Sequence, residues 1–228
     1  MTYLLINICS ISIPLIFSFH KKLQFNKQWQ HFWPAAIITL IPFILWDIYY
    51  THLGVWWFNE KHLVGVNLFN LPIEEWLFFI CIPYASVFTY HCLNQLITND
   101  LLSNYTKSIS FLLSVSLILI GILSLGKLYT SVTFFATSMA IIYLQWIKKA
   151  AWLSRFYFMY LIILLPFYLV NGMLTGMWLT QPVVLYSNME NLGIRINTIP
   201  VEDVFYGMLL LLMNIAIFEK LKAKQNPH

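Results

Sequence analysis

The sequence is poor in charge, since only 10% of its 228 residues are Asp, Glu, Lys or Arg. It has three cysteines, none with the spacing of a metal site, and we expect inert thiols within apolar segments. It also lacks a G-x-G-x-x-G pattern before a helix, which excludes a Rossmann site for a flavin or a nicotinamide. From these absences we expect neither a bound metal nor a cofactor.

The sequence is instead rich in apolar residues. Hydrophobic residues make up 60% of it and aromatic residues 18%, and its mean hydropathy is +0.72. A soluble core does not need so much apolar surface, whereas each helix across a bilayer needs about 20 mostly apolar residues. We therefore expect an integral membrane protein with little mass outside the membrane. The N-terminus has no basic region and no cleavage site, which predicts a retained first helix.

Hydropathy predicts an all-α fold of seven transmembrane helices. The predicted spans are about 2–19, 32–50, 71–93, 108–126, 128–147, 155–171 and 200–219. The seventh span has no lysine at mid-membrane depth, which argues against a retinal Schiff base.

The basic residues indicate the orientation. Of the 13 Lys and Arg residues, all lie in the loops after spans 1, 3 and 5 or in the tail, except Lys61, Lys127 and Arg195. This bias predicts a cell-membrane protein with its N-terminus outside and its C-terminus in the cytoplasm. The net charge of +4 then reflects topology and does not indicate nucleic-acid binding.

Two copies of a Pro-x-acid-acid motif open the third and seventh predicted spans. They read Pro-Ile-Glu-Glu at 72–75 and Pro-Val-Glu-Asp at 200–203. Carboxylates are unfavourable next to hydrocarbon, so a membrane protein seldom keeps four of them without a function. The function is therefore predicted to lie at these two helix starts.

The motifs belong to an internal repeat. Residues 65–75 align without a gap on 193–203, residues 42–47 on 166–171, and residues 54–56 on 176–178. We predict a first three-helix repeat at 1–93, a linker with the fourth helix at 94–127, a second repeat at 128–219 and a cytoplasmic tail at 220–228. The extra helix makes the repeats parallel, so both motifs are expected to face one site.

Two interpretations of the acids stay open. With proline at the first helical position, Glu74 and Glu202 can cap free N–H groups, and solvent at the interface can account for the others. Glu75 and Asp203, however, point about 100° away around their helices, which favours a functional cluster. With Asp47, the acids would gather in an apolar pocket, where burial and mutual repulsion keep one protonated beside an ionised neighbour. Such a pair suits protonation and deprotonation of an alkene.

Aromatic residues surround the predicted cluster. Their faces can stabilise a cation by about 0.5–2 kcal/mol each, although an interfacial aromatic belt is the alternative explanation. The candidates for substrate binding are Trp46, Trp56, Trp76, Phe79, Trp178 and Tyr206. His52 and His62 have no third ligand beside them in the sequence, and we expect them to be solvated.

The chain resembles the carotenoid cyclases of the heterodimeric bacterial type in both motifs and in several residues before the first one. These residues are Trp46, Asp47, Thr51, Gly54, Trp56, Phe58 and Asn59. In that family two three-span chains carry one motif each, and here both halves look fused. The cyclase part of fungal bifunctional phytoene synthase–lycopene cyclases is similar.

The resemblance implies a redox-neutral conversion of lycopene, or a related linear carotenoid, to β-carotene through γ-carotene. It implies that the acid–base set consists of Glu74, Glu75, Glu202 and Asp203, with Asp47 assisting. A single site predicts that the two identical ends of the substrate enter in turn. Because Asn171 replaces Asp47 in the second repeat, we expect catalysis to be led by the first repeat.

Two alternatives remain. A cyclase that forms another ring type, or acts on another carotenoid, belongs to the same class, because ring type depends on which proton leaves. A small membrane transporter with a 3+1+3 helix plan belongs to another class, but its helices are expected to break around polar residues at midplane. Segment 111–120 is instead aliphatic for most of its length. The sequence leaves homo-oligomerisation open.

Overall fold

The computed structural model describes residues 1–225, and its seven α-helices correspond one to one to the predicted spans. The helices are α1 Thr2–Phe17, α2 Trp29–Leu53, α3 Ile73–Leu96, α4 Thr106–Leu123, α5 Leu128–Ile142, α6 Leu153–Leu174 and α7 Val201–Gln225. Six of them lie in apolar segments long enough to cross a membrane, and α1 is a shorter apolar helix of 16 residues. The predicted all-α membrane fold is confirmed.

Three antiparallel ladders of short strands lie between the helices at the end of the bundle that carries both motifs. The strands are β1 Trp56–Phe58, β2 Asn67–Leu68, β3 Leu71–Pro72, β4 Val184–Tyr186, β5 Arg195–Ile196 and β6 Ile199–Pro200, paired as β1–β4, β2–β3 and β5–β6. The sequence did not predict them, because strands of two or three residues are too short for a pattern of alternation.

The strands show the repeat in the structure. The hairpins β2–β3 and β5–β6 have the same register and directly precede α3 and α7. In the β1–β4 ladder, Trp56 pairs with Tyr186 and Phe58 pairs with Val184. Residues 128 positions apart therefore exchange places across the ladder. Such reciprocal pairing is that of an isologous contact, and it indicates a local two-fold axis between the halves.

The structure corrects one part of the predicted alignment. Gly54 and Gly176 both follow a helix, with φ of 72° and 98°. β1 begins almost at once after Gly54, whereas a longer loop separates Gly176 from β4. The alignment of 54–56 on 176–178 is therefore wrong beyond the glycine, and the counterpart of Trp56 is Val184. Trp178 lies in the inserted loop, with 58% of its surface exposed.

Each motif helix begins one residue after its proline, which was predicted to be the first helical residue. Pro72 is extended, with a φ of −65° and a ψ of 147°, and it is the last residue of β3. It therefore occupies the N-cap position of α3 and not the first helical position. Glu74 and Glu75 are therefore the second and third helical residues. Pro200 in β6 precedes α7 in the same way.

The helices that carry the motifs, α3 and α7, are covered by other helices. α1 packs on α3 and α5 packs on α7, as the repeat requires, while α2 packs on both α3 and α7. The fourth helix, α4, packs chiefly on α5, with 22% of its span buried against 56% for α7. The two motifs consequently open into the protein interior.

Candidate active site

All five predicted acids are buried at the motif end of the bundle. Their exposed fractions are 3% for Asp47, 0% for Glu74, 7% for Glu75, 0% for Glu202 and 4% for Asp203. Solvation at an interface therefore does not account for them, and each needs a hydrogen-bond partner or a function. The geometry divides them into two groups.

Glu74 and Glu202 turn toward the loops that precede their helices. Glu74 Oε1 accepts a hydrogen bond from the N–H of Val64 at 2.6 Å, and Glu202 Oε1 accepts one from the N–H of Leu192 at 2.8 Å. Glu202 Oε1 also accepts a hydrogen bond of 2.5 Å from Thr130 Oγ1 on α5. Equivalent acids thus hold equivalent loops against the bundle, which is a role close to the capping interpretation.

Glu75, Asp203 and Asp47 line one cavity of about 690 Å³. Helices α1, α3, α6 and α7 and strands β1 and β4 form most of its walls. The carboxyl groups of Glu75 and Asp203 are close enough for their charges to interact, and so are those of Asp47 and Glu75. A volume of about 300–1,000 Å³ is typical of ligand-binding cavities. The structure therefore brings together one acid of each motif and Asp47.

Equivalent tyrosines hold the two motif acids that face the cavity. Tyr3 of α1 donates a hydrogen bond to Glu75, and Tyr129 of α5 donates one of 2.6 Å to Asp203 Oδ1. Sequence reasoning missed both tyrosines, although each is the second residue of the first helix in its repeat. They lie 126 positions apart, whereas the aligned segments have offsets of 122, 124 and 128, so a gap-free extension of the alignment does not pair them.

Asp203 has two further hydrogen-bond donors. Its Oδ2 accepts a hydrogen bond of 2.9 Å from Tyr186 of β4 and one of 3.2 Å from Asn171 of α6. Burial, and then the charge of Asp203, raises the pKa of Tyr186 well above its ordinary value, so the phenol stays a donor at neutral pH. Sequence reasoning did not predict Tyr186, because its strand lies beyond the loop inserted in the second repeat.

Asp47 of α2 reaches the cavity beside two aromatic residues. The side chain of Trp56 lies beside Asp47, and its ring packs edge-on to that of Tyr206 with centroids 6.1 Å apart. Among the described residues, neither Asp47 Oδ2 nor the Tyr206 hydroxyl has a hydrogen-bond partner. Because buried polar atoms are normally paired, these two atoms, like the second carboxyl oxygens of Glu74 and Glu202, need a partner or a function.

Of the six aromatic residues predicted to bind substrate, Trp56 and Tyr206 line the cavity. The other four, which do not line it, are Trp46, Trp76, Phe79 and Trp178. Trp46 packs behind Tyr206, with ring centroids 5.3 Å apart. Phe79 is buried in the core, whereas Trp76 is partly exposed and Trp178 is exposed.

The cavity is a mostly apolar slot that runs along the helices away from the acids. On α3 its lining extends from Glu75 to Thr89, which at 1.5 Å per residue corresponds to about 21 Å. Gly207 lines it on α7, and the residue 128 positions earlier is Phe79. The ring of Phe79 packs on Phe43 with centroids 6.0 Å apart. A bulky side chain thus fills, in the first repeat, the place that the glycine leaves open in the second.

Comparisons with known proteins identify one family. A family model described as lycopene cyclase matches residues 1–93 and 126–221. A bifunctional lycopene cyclase/phytoene synthase of Aspergillus oryzae (strain ATCC 42149 / RIB 40) is 26% identical over 95 residues. That match covers 42% of this chain and 16% of the fungal protein, so the chain spans only a small part of that relative. No solved structure gives a significant match.

Proposed function

The chain belongs to the lycopene cyclase family, and on that premise we propose that it closes the linear ends of lycopene, or of a related linear carotenoid, to β-rings. The observation that carries the proposal is the meeting of Glu75, Asp203 and Asp47 in one largely apolar cavity. Such a cavity admits a hydrocarbon and presents acids to it at one end only.

The proposed reaction needs no change in redox state. An acid adds a proton to C2 of the ψ-end group, which leaves a cation at C1. The C5–C6 double bond attacks C1, so the C1–C6 bond closes a six-membered ring and the cation moves to C5. Loss of a proton from C6 forms the C5–C6 double bond of the β-ring. One proton enters and one leaves, so the site needs a proton donor and a proton acceptor.

We assign these two roles to Glu75 and Asp203. Asp203 accepts hydrogen bonds from three side chains, which stabilise its ionised form and suit it to accept the proton from C6. Among the described residues, Glu75 has one hydrogen-bond partner, the phenol of Tyr3, and we assign it as the proton donor. After each turnover the proton returns from Asp203 to Glu75, whose carboxyl groups are close enough to interact, and Asp47 assists by sharing that proton with Glu75.

The aromatic lining fits a carbocation. Tyr206 and Trp56 lie beside the acids, and each aromatic face can stabilise a cation by about 0.5–2 kcal/mol in a desolvated site. Glu74 and Glu202 take a positioning role in this proposal, because their bound oxygens hold the loops over the acid end. The acid end lies on the extracytoplasmic side in the proposed orientation, as the loop charges favour.

Expression in lycopene-accumulating bacteria tests the proposal. We expect a change from red to orange and the appearance of β-carotene on pigment chromatography, which also separates β- from ε-ring products. The matched control is Glu75→Gln, quantified in the membrane fraction beside the unaltered chain. Unchanged lycopene in cells with correctly inserted unaltered protein would contradict cyclisation.

A further inference from the structure

One side of the slot is formed by two helices that face the bilayer. Several residues on α1 and α6 line the cavity and are nevertheless exposed on the outside of the bundle. Leu5, Ile13 and Leu169 have exposed fractions of 59%, 65% and 48%, and Cys9 is exposed as well. Because these residues both line the slot and are exposed, the slot opens to the surface between α1 and α6. All four are apolar, so this opening leads to hydrocarbon and not to water.

The two repeats differ at this place. In the second repeat α5 is covered by the fourth helix α4 as well as by α7. Its counterpart α1 packs chiefly on α3 and touches α6 at few points. The first repeat thus keeps a side that the linker helix closes in the second. α1 also contains Pro14, which removes one backbone hydrogen bond from it.

The acid end offers no comparable route. The β1–β4 ladder lies there, and Trp56 and Tyr186, which pair across it, both line the cavity beneath. The hairpins before α3 and α7 and the loops held by Glu74 and Glu202 flank this ladder. An apolar chain that arrived from this side would have to cross polar loops, whereas the opening on the other side is already in contact with lipid tails.

We propose that the opening between α1 and α6 is a lateral entrance, through which a linear isoprenoid hydrocarbon slides end-first from the bilayer to the acids. This inference rests on the proposed function and adds the route of the substrate to it. The slot is about 21 Å long by the helix rise, so it holds one end of a long carotenoid while the rest stays in the bilayer. The first end must leave by the same opening before the second can enter.

Cys9 provides a native handle for the test. It lies on the entrance, whereas Cys81 is buried and Cys92 is half-buried. Membranes holding the full chain are treated with a bulky apolar maleimide such as pyrenylmaleimide, and Cys9→Ala measures labelling of the other two cysteines. The matched control is Cys9→Ala combined with Leu112→Cys, since Leu112 is 67% exposed on α4 and does not line the cavity. Each protein is compared with its own unlabelled form.

A label on Cys9 is expected to lower the cyclisation rate at least about tenfold. A label at position 112 is expected to leave the rate of that control protein within about twofold of its unlabelled rate. Membranes preloaded with lycopene are expected to protect Cys9, but not position 112, from labelling. A Cys9-labelled protein that cyclises at its unlabelled rate would overturn the entrance while leaving the proposed function standing. Unlabelled protein that never cyclises lycopene contradicts the function, and unprotected labelling of Cys9 in the same membranes contradicts the entrance separately.

Discussion

Glu75 and Asp203 face one cavity from two different helices, although 128 positions separate them in the chain. The repeat explains the meeting, because the local two-fold axis places equivalent helix starts at the same end of the bundle. It also supplies each acid with an equivalent phenol, Tyr3 for Glu75 and Tyr129 for Asp203. A duplicated motif thereby becomes two parts of one site.

Glu75→Gln and Asp203→Asn are each expected to lower cyclisation by about 10²–10⁴-fold, the range of general acid–base catalysis. Both amides keep the size of the side chain but cannot exchange the proton. The measurement is the rate of product formation per amount of inserted protein. Because Tyr3 can still donate to the amide oxygen in Glu75→Gln, the thermal midpoint of that variant in detergent is expected to change little. Wild-type rates in both variants would remove these residues from the chemistry.

Glu202 is expected to matter for stability more than for turnover. Glu202→Leu leaves the buried Thr130 hydroxyl and the N–H of Leu192 without their acceptor, which costs about 1–3 kcal/mol for a buried unpaired group. Glu202→Gln keeps the acceptor oxygen and is the matched control. Thermal unfolding in detergent and the cyclisation rate are measured on both. If Glu202→Gln reduced the rate as strongly as Glu75→Gln, a purely positioning role would be wrong.

The helices and the meeting of the motifs could be predicted from the sequence, since long apolar segments and a gap-free repeat are strong signals. The different contacts of the two acids within each motif could not be predicted. They depend on where the N–H of Val64 lies, ten residues before Glu74, and no local pattern encodes that contact. Trp178 lies outside the cavity for a related reason, because a loop inserted before β4 moved the second repeat out of register.

The slot itself was also beyond sequence reasoning. The space for the slot in the second repeat depends on one small residue, Gly207, which lies opposite the bulky side chain of Phe167. In the first repeat Phe79 and Phe43 take these places and fill the space. A glycine within an apolar helix gives no signal by itself, and only packing shows that its missing side chain makes room for a ligand.

Gly207→Phe is expected to abolish cyclisation, because its ring would occupy the slot. A methyl group at this position would meet Phe167 Cε2 at 3.6 Å and the Tyr160 hydroxyl at 3.7 Å, which are ordinary contacts. Gly207→Ala is therefore expected to cause a much smaller loss, and to stabilise α7 by up to about 1 kcal/mol. Leu112→Phe, on the lipid-facing side of α4, controls for the added ring. Full activity in Gly207→Phe would show that the substrate does not use this slot.

Asp47→Asn is expected to fold normally, because Asn171 occupies the equivalent place in the second repeat and donates to Asp203 there. In the unaltered chain the Asp47 carboxyl interacts with Glu75 and has an oxygen without a partner among the described residues. We therefore expect the variant to lose about tenfold in rate, which corresponds to about 1.4 kcal/mol in the barrier. The rate and the thermal midpoint are measured together. A loss as large as that of Glu75→Gln would make Asp47 itself a proton donor, whereas no loss would exclude assistance.

A single slot predicts the order of products in time. Only one end of the substrate can reach Glu75 and Asp203 at once, and the other end must wait until the chain has left and returned. With lycopene in excess over protein, we expect γ-carotene to accumulate first and β-carotene to appear after a lag. Pigment chromatography of a time course measures both, and γ-carotene supplied as the substrate is expected to give β-carotene without a lag. If β-carotene rose from the earliest times and no one-ring product was ever seen at low turnover, both ends would be reacting in a single encounter, which one slot open at one side does not permit.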